Sequence, residues 1–255
     1  MCVSTDYGKT WKPISTGLPK VGACTAVVVD PASPPNRRTL YASFYGGGVF
    51  KSVDDGKTWQ ARNKGLNVEK NDHFTDLKRC DDGTLYALCG GRKHARYKPE
   101  PVCGLYKSVD GAASWTHVTA GVKMYLPFGF DVLPTDSRTI WLCVSAVPRK
   151  HDEAGVYKSD DAGKTWTKLP IQWPAGGPDY VHAKYPSIDP NNPDRVWIST
   201  GTHGTLVTID GGRTFRPVAG LPFRGANRVT VDPLDPETIW VSTFGGGIWR
   251  GPAKD

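Results

Sequence analysis

Apolar and polar residues alternate along this chain in short bursts of four to seven residues, each closed by Gly, Pro or Asp. Val, Ile, Thr, Tyr and Trp fill the bursts, as in TLYAS from Thr39, TIWLC from Thr139, VWIST from Val196 and TIWVS from Thr238. A period of two with this composition predicts short β-strands. No long window free of Gly and Pro carries apolar residues at i, i+3, i+4 and i+7, so the chain reads as nearly all β. Aspartate-proline turns punctuate it in VVVDP, SIDP and TVDP, with FDVLP in the same place before TIWLC. In the second repeat Cys80-Asp81-Asp82-Gly83 replaces the turn before TLYAL.

One octapeptide recurs five times: STDYGKTW from Ser4, SVDDGKTW from Ser52, SVDGAASW from Ser108, SDDAGKTW from Ser159 and TIDGGRTF from Thr208. The starts lie 48, 56, 51 and 49 residues apart. Each repeat therefore reads as strand, turn, strand, loop, strand, Asp-containing hairpin, strand. Four short antiparallel strands per repeat predict a β-propeller, whose blades bury their faces against one another. Four complete blades fall at 24–67, 73–122, 127–171 and 183–221, followed by three strands in ANRVTVDP, TIWVSTF and GGGIWRG. Lys9–Ser15 offers an outer strand to close a fifth blade, while Met1–Ser4 reads as the tail of a third strand that competes for that place. The second pattern favours a single propeller domain over 1–255 that lacks upstream sequence and forms part of a larger ring.

In the octapeptide the aspartate accepts backbone N–H bonds across a tight turn, the glycine supplies unusual backbone angles, and the Trp packs between strands. Asp6, Asp54, Asp110, Asp161 and Asp210 are on this reading structural, because a catalytic group is not needed once per blade. Box three has Ala112 for glycine and Ser114 for Thr, and box five ends in Phe215, so those two hairpins are expected to differ in shape.

These octapeptides resemble the Asp-box, or bacterial neuraminidase repeat, of the sialidase-like propellers, a group that includes xyloglucan-hydrolysing glycosidases and sortilin-type receptors. The resemblance covers essentially the whole chain and is specific for fold rather than function. It implies a secreted or periplasmic protein, although no signal peptide precedes the first box. A sialidase-like mechanism would further require three arginines, a tyrosine nucleophile with its glutamate, and an aspartate; Arg149, Arg224, Arg228, Tyr180, Tyr185 and Glu153 are available. The Arg-Ile-Pro sequence of those enzymes is absent.

Composition excludes several classes. Gly (29) and Pro (21) are abundant, yet 38% of residues are hydrophobic and nine are Trp, which is a globular, turn-rich chain and not a disordered one. No run approaches the roughly 18 apolar residues of a membrane span. The net charge of +7 is spread without basic runs, which argues against nucleic acid and leaves acidic glycans as possible partners. The six cysteines include no C-x-x-C pair, and the six histidines no H-E-x-x-H, so neither a metal site nor a cofactor is expected. Cys89 and Cys103 flank an insertion and read equally as a disulfide or as buried thiols.

In a propeller, the loops between blades and those between second and third strands build one face, and the Asp-box hairpins lie on the opposite rim. On the first face the sequence places Tyr45, His73, Trp173, Tyr180, His182, Lys184, Tyr185, His203, Arg224, Arg228 and Phe244. GGPDYVHAKYP is the densest polar-aromatic cluster, suited to stacking on sugar rings or peptide, with core cover as the alternative. Glycoside hydrolysis needs two carboxyls, for which Asp72, Asp152, Glu153 and Asp179 are the candidates. Asp131 is equally a turn-supporting residue. The expectation is a monomeric glycan- or protein-binding scaffold propeller, with a xyloglucanase-like or sialidase-like hydrolase as the alternative.

Overall fold

The computed structural model describes all residues except 21, 70–72, 91–102, 125, 147–152, 176–180, 244 and 254–255. Among the described residues there is no helix, and the strands form six antiparallel sheets, so the fold is the all-β propeller type that the repeat predicts. The chain divides into two compact units, one of Met1–Gly90 with Gly104–Val118, the other of Gly91–Cys103 with Thr119–Asp255.

In the first unit β1 (Cys2–Val3) pairs with β2 (Lys12–Pro13), as the third-strand reading of Met1–Ser4 predicts. Two four-stranded blades follow in simple order: β3 (Ala23–Val29), β4 (Leu40–Tyr45), β5 (Gly48–Ser52) and β6 (Gln60–Ala61), then β7 (Phe74–Arg79), β8 (Leu85–Cys89), β9 (Gly104–Ser108) and β10 (Thr116–His117). The second unit holds β11 (Pro127–Leu133), β12 (Asp136–Val144), β13 (Gly155–Ser159) and β14 (Thr167–Lys168) as one blade. Its next blade is β15 (Ala183–Ile188), β16 (Val196–Thr200), β17 (Thr205–Thr208) and β18 (Arg216–Pro217), and β19 (Ala226–Val231), β20 (Thr238–Thr243) and β21 (Ile248–Pro252) form a three-stranded sheet.

Burial does not follow the alternation of the sequence. Every residue of β16 is buried, including Ser199 and Thr200, because Ile198 packs on Trp141 and Val156 of the preceding blade while Trp197 packs on Val229 and Val241 of the next. A strand covered on both faces has no solvent side.

The five hairpins share one bonding scheme. In the second, Ser52 Oγ donates to Asp54 Oδ1 (2.7 Å) and accepts from Gly56 N (2.9 Å), while Asp54 accepts from Thr58 N (2.9 Å) and Thr58 Oγ1 (2.5 Å). Box three was expected to differ, yet Asp110 accepts from Ser114 N at 2.9 Å and Ser114 Oγ at 2.6 Å. Ala112 there takes a φ of 66°, the left-handed region that glycine takes at Gly56 (84°). Box five also keeps the scheme, with Gly212 N on Thr208 Oγ1 at 3.0 Å and Thr214 N on Asp210 at 2.9 Å. Phe215 packs edge-on against Trp141 in place of a Trp contact.

In the first unit the box tryptophans also join successive sheets. Trp59 donates from N to Thr16 O (2.9 Å) and from Nε1 to Ile14 O (3.0 Å); Trp115 does the same to Lys64 O (2.9 Å) and Arg62 O (2.8 Å). Gly17 and Gly65 lie directly under the Trp59 and Trp115 carbonyls at φ of 88° and 90°, and a side chain at either would strike that oxygen. Asp131 has a comparable joining role in the second unit: its carboxylate accepts from Val132 N (2.9 Å) and from Ile188 N on the next blade (2.8 Å).

Candidate functional site at the bulged ends of the inner strands

All five innermost strands carry one extra residue at the same register. Thr25 falls between the pairs Cys24–Phe44 and Ala26–Ser43, and Thr75, Phe128, Lys184 and Asn227 occupy the same place in β7, β11, β15 and β19. A bulge bends its strand and re-aims the side chains beside it. The bulged ends are those where the loops between blades and between second and third strands emerge.

In the first unit the bulge serves cohesion. Thr25 Oγ1 lies 2.8 Å from Ser43 Oγ and 2.9 Å from the Phe74 carbonyl of the next blade. Beside it the predicted residues Tyr45 and His73 meet: their backbones form a β-bridge and their rings stack at 3.9 Å with a 20° interplanar angle. Tyr45 keeps 41% of its surface exposed.

In the second unit the bulges carry larger, charged and aromatic groups on three consecutive sheets. Phe128 meets Tyr185 edge-on at 5.8 Å, and the Arg228 guanidinium lies 4.7 Å from the centroid of the Tyr185 ring. Tyr185 fits because residue 129 is glycine: a methyl group there would overlap the ring. Lys184 Nζ donates to Asn227 Oδ1 at 2.9 Å, so two bulge residues of neighbouring sheets are bonded to each other. Burial lowers the Lys184 pKa.

The other predicted residues of this unit lie around the same strand ends. Gly201 N donates to His182 O (2.8 Å), Gly204 N to Arg224 O (2.8 Å), and Thr202 Oγ1 lies 2.8 Å from His203 Nδ1. Trp173 is 5.9 Å from the His203 ring and packs on the core cluster of Trp141, Ile198 and Leu206, so it covers the core. With Leu169, Ile171 and Val181 it also lines a recess of about 270 Å³. That volume lies below the usual range of a small-molecule pocket.

Of the carboxylate candidates, Glu153 is within the described residues; its carbonyl accepts from Tyr157 Oη at 2.8 Å, and burial pushes the Tyr157 hydroxyl up to about 12. Asp72, Asp152 and Asp179 lie outside the described residues, as do Tyr180, Phe244 and Arg149. No group of His, Cys, Asp and Glu among the described residues could hold a metal ion. Sequence reasoning missed Phe128 and Asn227. Their signal is positional: each takes the place of Lys184 when the inner strands are aligned with one extra residue.

The BNR/Asp-box repeat family matches residues 3–13. A xyloglucanase from Paenibacillus sp. is 25% identical over 215 residues, covering 77% of this chain and 21% of that protein. The chain thus spans about a fifth of that relative's length. The fold resembles the GH74 xyloglucanase of Xanthomonas campestris with a TM-score of 0.66 at 19% identity, over 95% of this chain and 38% of the other. It also resembles YCF48 bound to a D1 peptide, with a TM-score of 0.64 at 16% identity, over 98% and 71% of the two chains. The chain thus carries an Asp-box match on a β-propeller fold and is similar over most of its length to part of a xyloglucanase.

Proposed function

We propose that this Asp-box propeller is a saccharide-binding module that acts outside the cytoplasm and engages its ligand across the bulged ends of β11, β15 and β19. The observation that carries this reading is the contiguous Phe128–Tyr185–Arg228 arrangement, which presents aromatic rings beside a cation and hydrogen-bonding side chains. Sugar rings stack on aromatic faces, and polar groups at the rim fix their hydroxyls. Similarity to a xyloglucanase supports a glycan over a peptide. That similarity also favours a second reading, an active glycoside hydrolase, with Glu153 paired to Asp72, Asp152 or Asp179.

The test is calorimetric titration of the full chain with xyloglucan, β-glucan and pectic oligosaccharides, coupled to chromatography of the products. Binding without cleavage is expected, and Tyr185→Ala should weaken it at least about tenfold, the effect of a lost stacking partner. Cleavage that disappears in Glu153→Gln would establish the hydrolase instead.

A further inference from the structure

The sheet of β19, β20 and β21 shows a face that the complete blades bury. Trp240 pairs with Arg250 and Ser242 with Ile248, which aligns Trp240 with Tyr41, Trp141 and Trp197, and Ile248 with Val49, Val156 and Thr205. Those six are buried, whereas Trp240 keeps 39% of its surface exposed and Ile248 72%. In the complete blades the cover comes from the inner strands of the next sheet. Tyr41 and Val49 share a core cluster with Leu77 and Ala87, Trp141 and Val156 with Ile188 and Ile198, and Trp197 with Val229 and Val241.

The chain also carries the covering half of this joint with nothing beneath it. Val27 pairs with Ala42 and Val29 with Leu40, the registers of Leu77–Ala87 and Ile188–Val196, yet Val27 is 46% exposed and Val29 47%. Met1, Ile14 and Leu18 pack on the cluster of Ala42, Phe50 and Trp59 and leave β3 largely uncovered. A cation marks the same joint. Lys51 lies 5.2 Å from the Tyr41 ring centroid and donates to Gly111 O (3.1 Å) in the box of the next blade; Lys158 lies 5.6 Å from the Trp141 ring and donates to Gly211 O (3.3 Å) in the box of its own next blade. Arg250 holds this register, 5.7 Å from the Trp240 ring, with its exposed guanidinium 3.7 Å from Asp235. In the blade of Val27 the residue that corresponds to Gly111 and Gly211 is Asp55, the fourth of its box.

We infer that a second copy of this chain docks here head to tail, its Val27–Val29 face on Trp240 and Ile248 of the first copy, and its Asp55 carbonyl on Arg250. Both halves of the joint stand exposed in one chain, so a second copy supplies the cover that one chain leaves open. Among the described residues no strand pairs with the outer edge of β21, although every complete blade pairs its third strand with a fourth. Full seating brings that edge to β2 of the second copy, the strand after box one, in place of β1, which holds β2 by two residue pairs. The contact joins two different surfaces, so copies add in one direction, into a closed ring or an open row. This replaces the monomer expected from sequence and is independent of the saccharide reading.

The experiment is sedimentation equilibrium of the full chain from about 1 to 100 µM, with thermal unfolding of each variant in parallel. The mass is expected to rise with concentration above that of one chain. Ile248→Lys on one half, and Val27→Lys or Val29→Lys on the other, should each weaken association at least about tenfold by setting a charge in an apolar contact. A mixture of Ile248→Lys with Val27→Lys keeps one intact contact, Val27 of the first variant on Ile248 of the second, and should form a dimer that neither variant forms alone. A parent that stays monomeric throughout would overturn the proposal; unfolding temperatures lowered in both variants would then show a chain closed on its own faces. Association lost with Ile248→Lys but kept with Val27→Lys and Val29→Lys would overturn it in favour of two β21 edges pairing with each other. Folded variants whose mixture stays monomeric would overturn it as well.

Discussion

Asp189 is fully buried in the Asp-Pro turn after β15, where its carboxylate meets Arg195 Nε at 2.7 Å and accepts from Asn191 N at 2.8 Å. Arg195 also donates to Ala253 O at 3.0 Å and lies 5.4 Å from the Trp197 ring centroid, so the pair links a turn, a core indole and the end of the last sheet. Removing one partner leaves a buried charge without its counter-ion, which costs about 3–5 kcal/mol. Arg195→Met should lower the urea unfolding free energy by that amount. Ala112 presents the opposite case. Its φ of 66° is unfavourable for a side chain, by about 1–2 kcal/mol, yet its methyl is buried among Tyr41, Leu85 and Trp115. Ala112→Gly relieves the strain but loses about 0.8 kcal/mol of burial and about 0.4–1 kcal/mol through unfolded-chain entropy. The change should therefore fall within about 1 kcal/mol of neutral in the same measurement, whereas Ala112→Val, β-branched and confined, should be clearly destabilising. Box five has no such latitude, since a methyl at Gly212 would lie 2.7 Å from Trp141 Cη2.

The inner strands β11, β15 and β19 show what an element adds to its residues. The bulge turns Lys184 toward Asn227 and places Tyr185 against Gly129, so the geometry of this side-chain group is set by backbone register as much as by side-chain type. Gly129→Ala should push the Tyr185 ring and the Lys184 carbonyl away, costing about 1–3 kcal/mol of stability through overpacking. It should also reduce glycan affinity although residue 129 offers a ligand no polar side chain; unchanged affinity in calorimetry would place the ligand elsewhere. The blades themselves were legible in sequence because the octapeptide marks one fixed corner of each, and Gly17 and Gly65 show how strictly that corner is packed. The bulges were not. One extra residue in a strand leaves no compositional trace, and Phe128 and Asn227 share no chemistry with Lys184 that would align them. Lys184 and Tyr185 stand out in the sequence because they cluster with other polar and aromatic residues, a signal blind to which residues touch. It is equally blind to packing: the Trp173 indole lies on the core cluster of Trp141, Ile198 and Leu206, which the run of polar and aromatic residues around it does not reveal.

At the scale of the whole molecule the repetition of one hairpin becomes a pH response. Hydrogen bonds from the Thr or Ser hydroxyl, the facing backbone N–H and the leading Ser hydroxyl hold the Asp6, Asp54 and Asp110 carboxyls down at about 2; Asp161 is held there mainly by Thr165, and Asp210 is lowered further by Thr214. A carboxyl whose pKa is depressed in the folded state contributes stability above its unfolded value of about 3.9. That contribution is lost as pH falls through the folded value, because the unfolded chain takes up the proton first. The unfolding midpoint should thus be level above about pH 5 and decline between about pH 4 and 2. Since both units carry the same hairpins, tryptophan fluorescence and far-ultraviolet circular dichroism should report the decline in the same window. Asp54→Asn keeps an acceptor oxygen but removes the charge that strengthens the bonds from Thr58 and Ser52. The variant should be less stable than the parent at pH 7 and draw close to it near pH 2, where about half of the parent's own carboxyl is protonated. A gap that persisted undiminished at pH 2 would show that asparagine disturbs the hairpin by shape, and that ionisation of the aspartate contributes nothing to it.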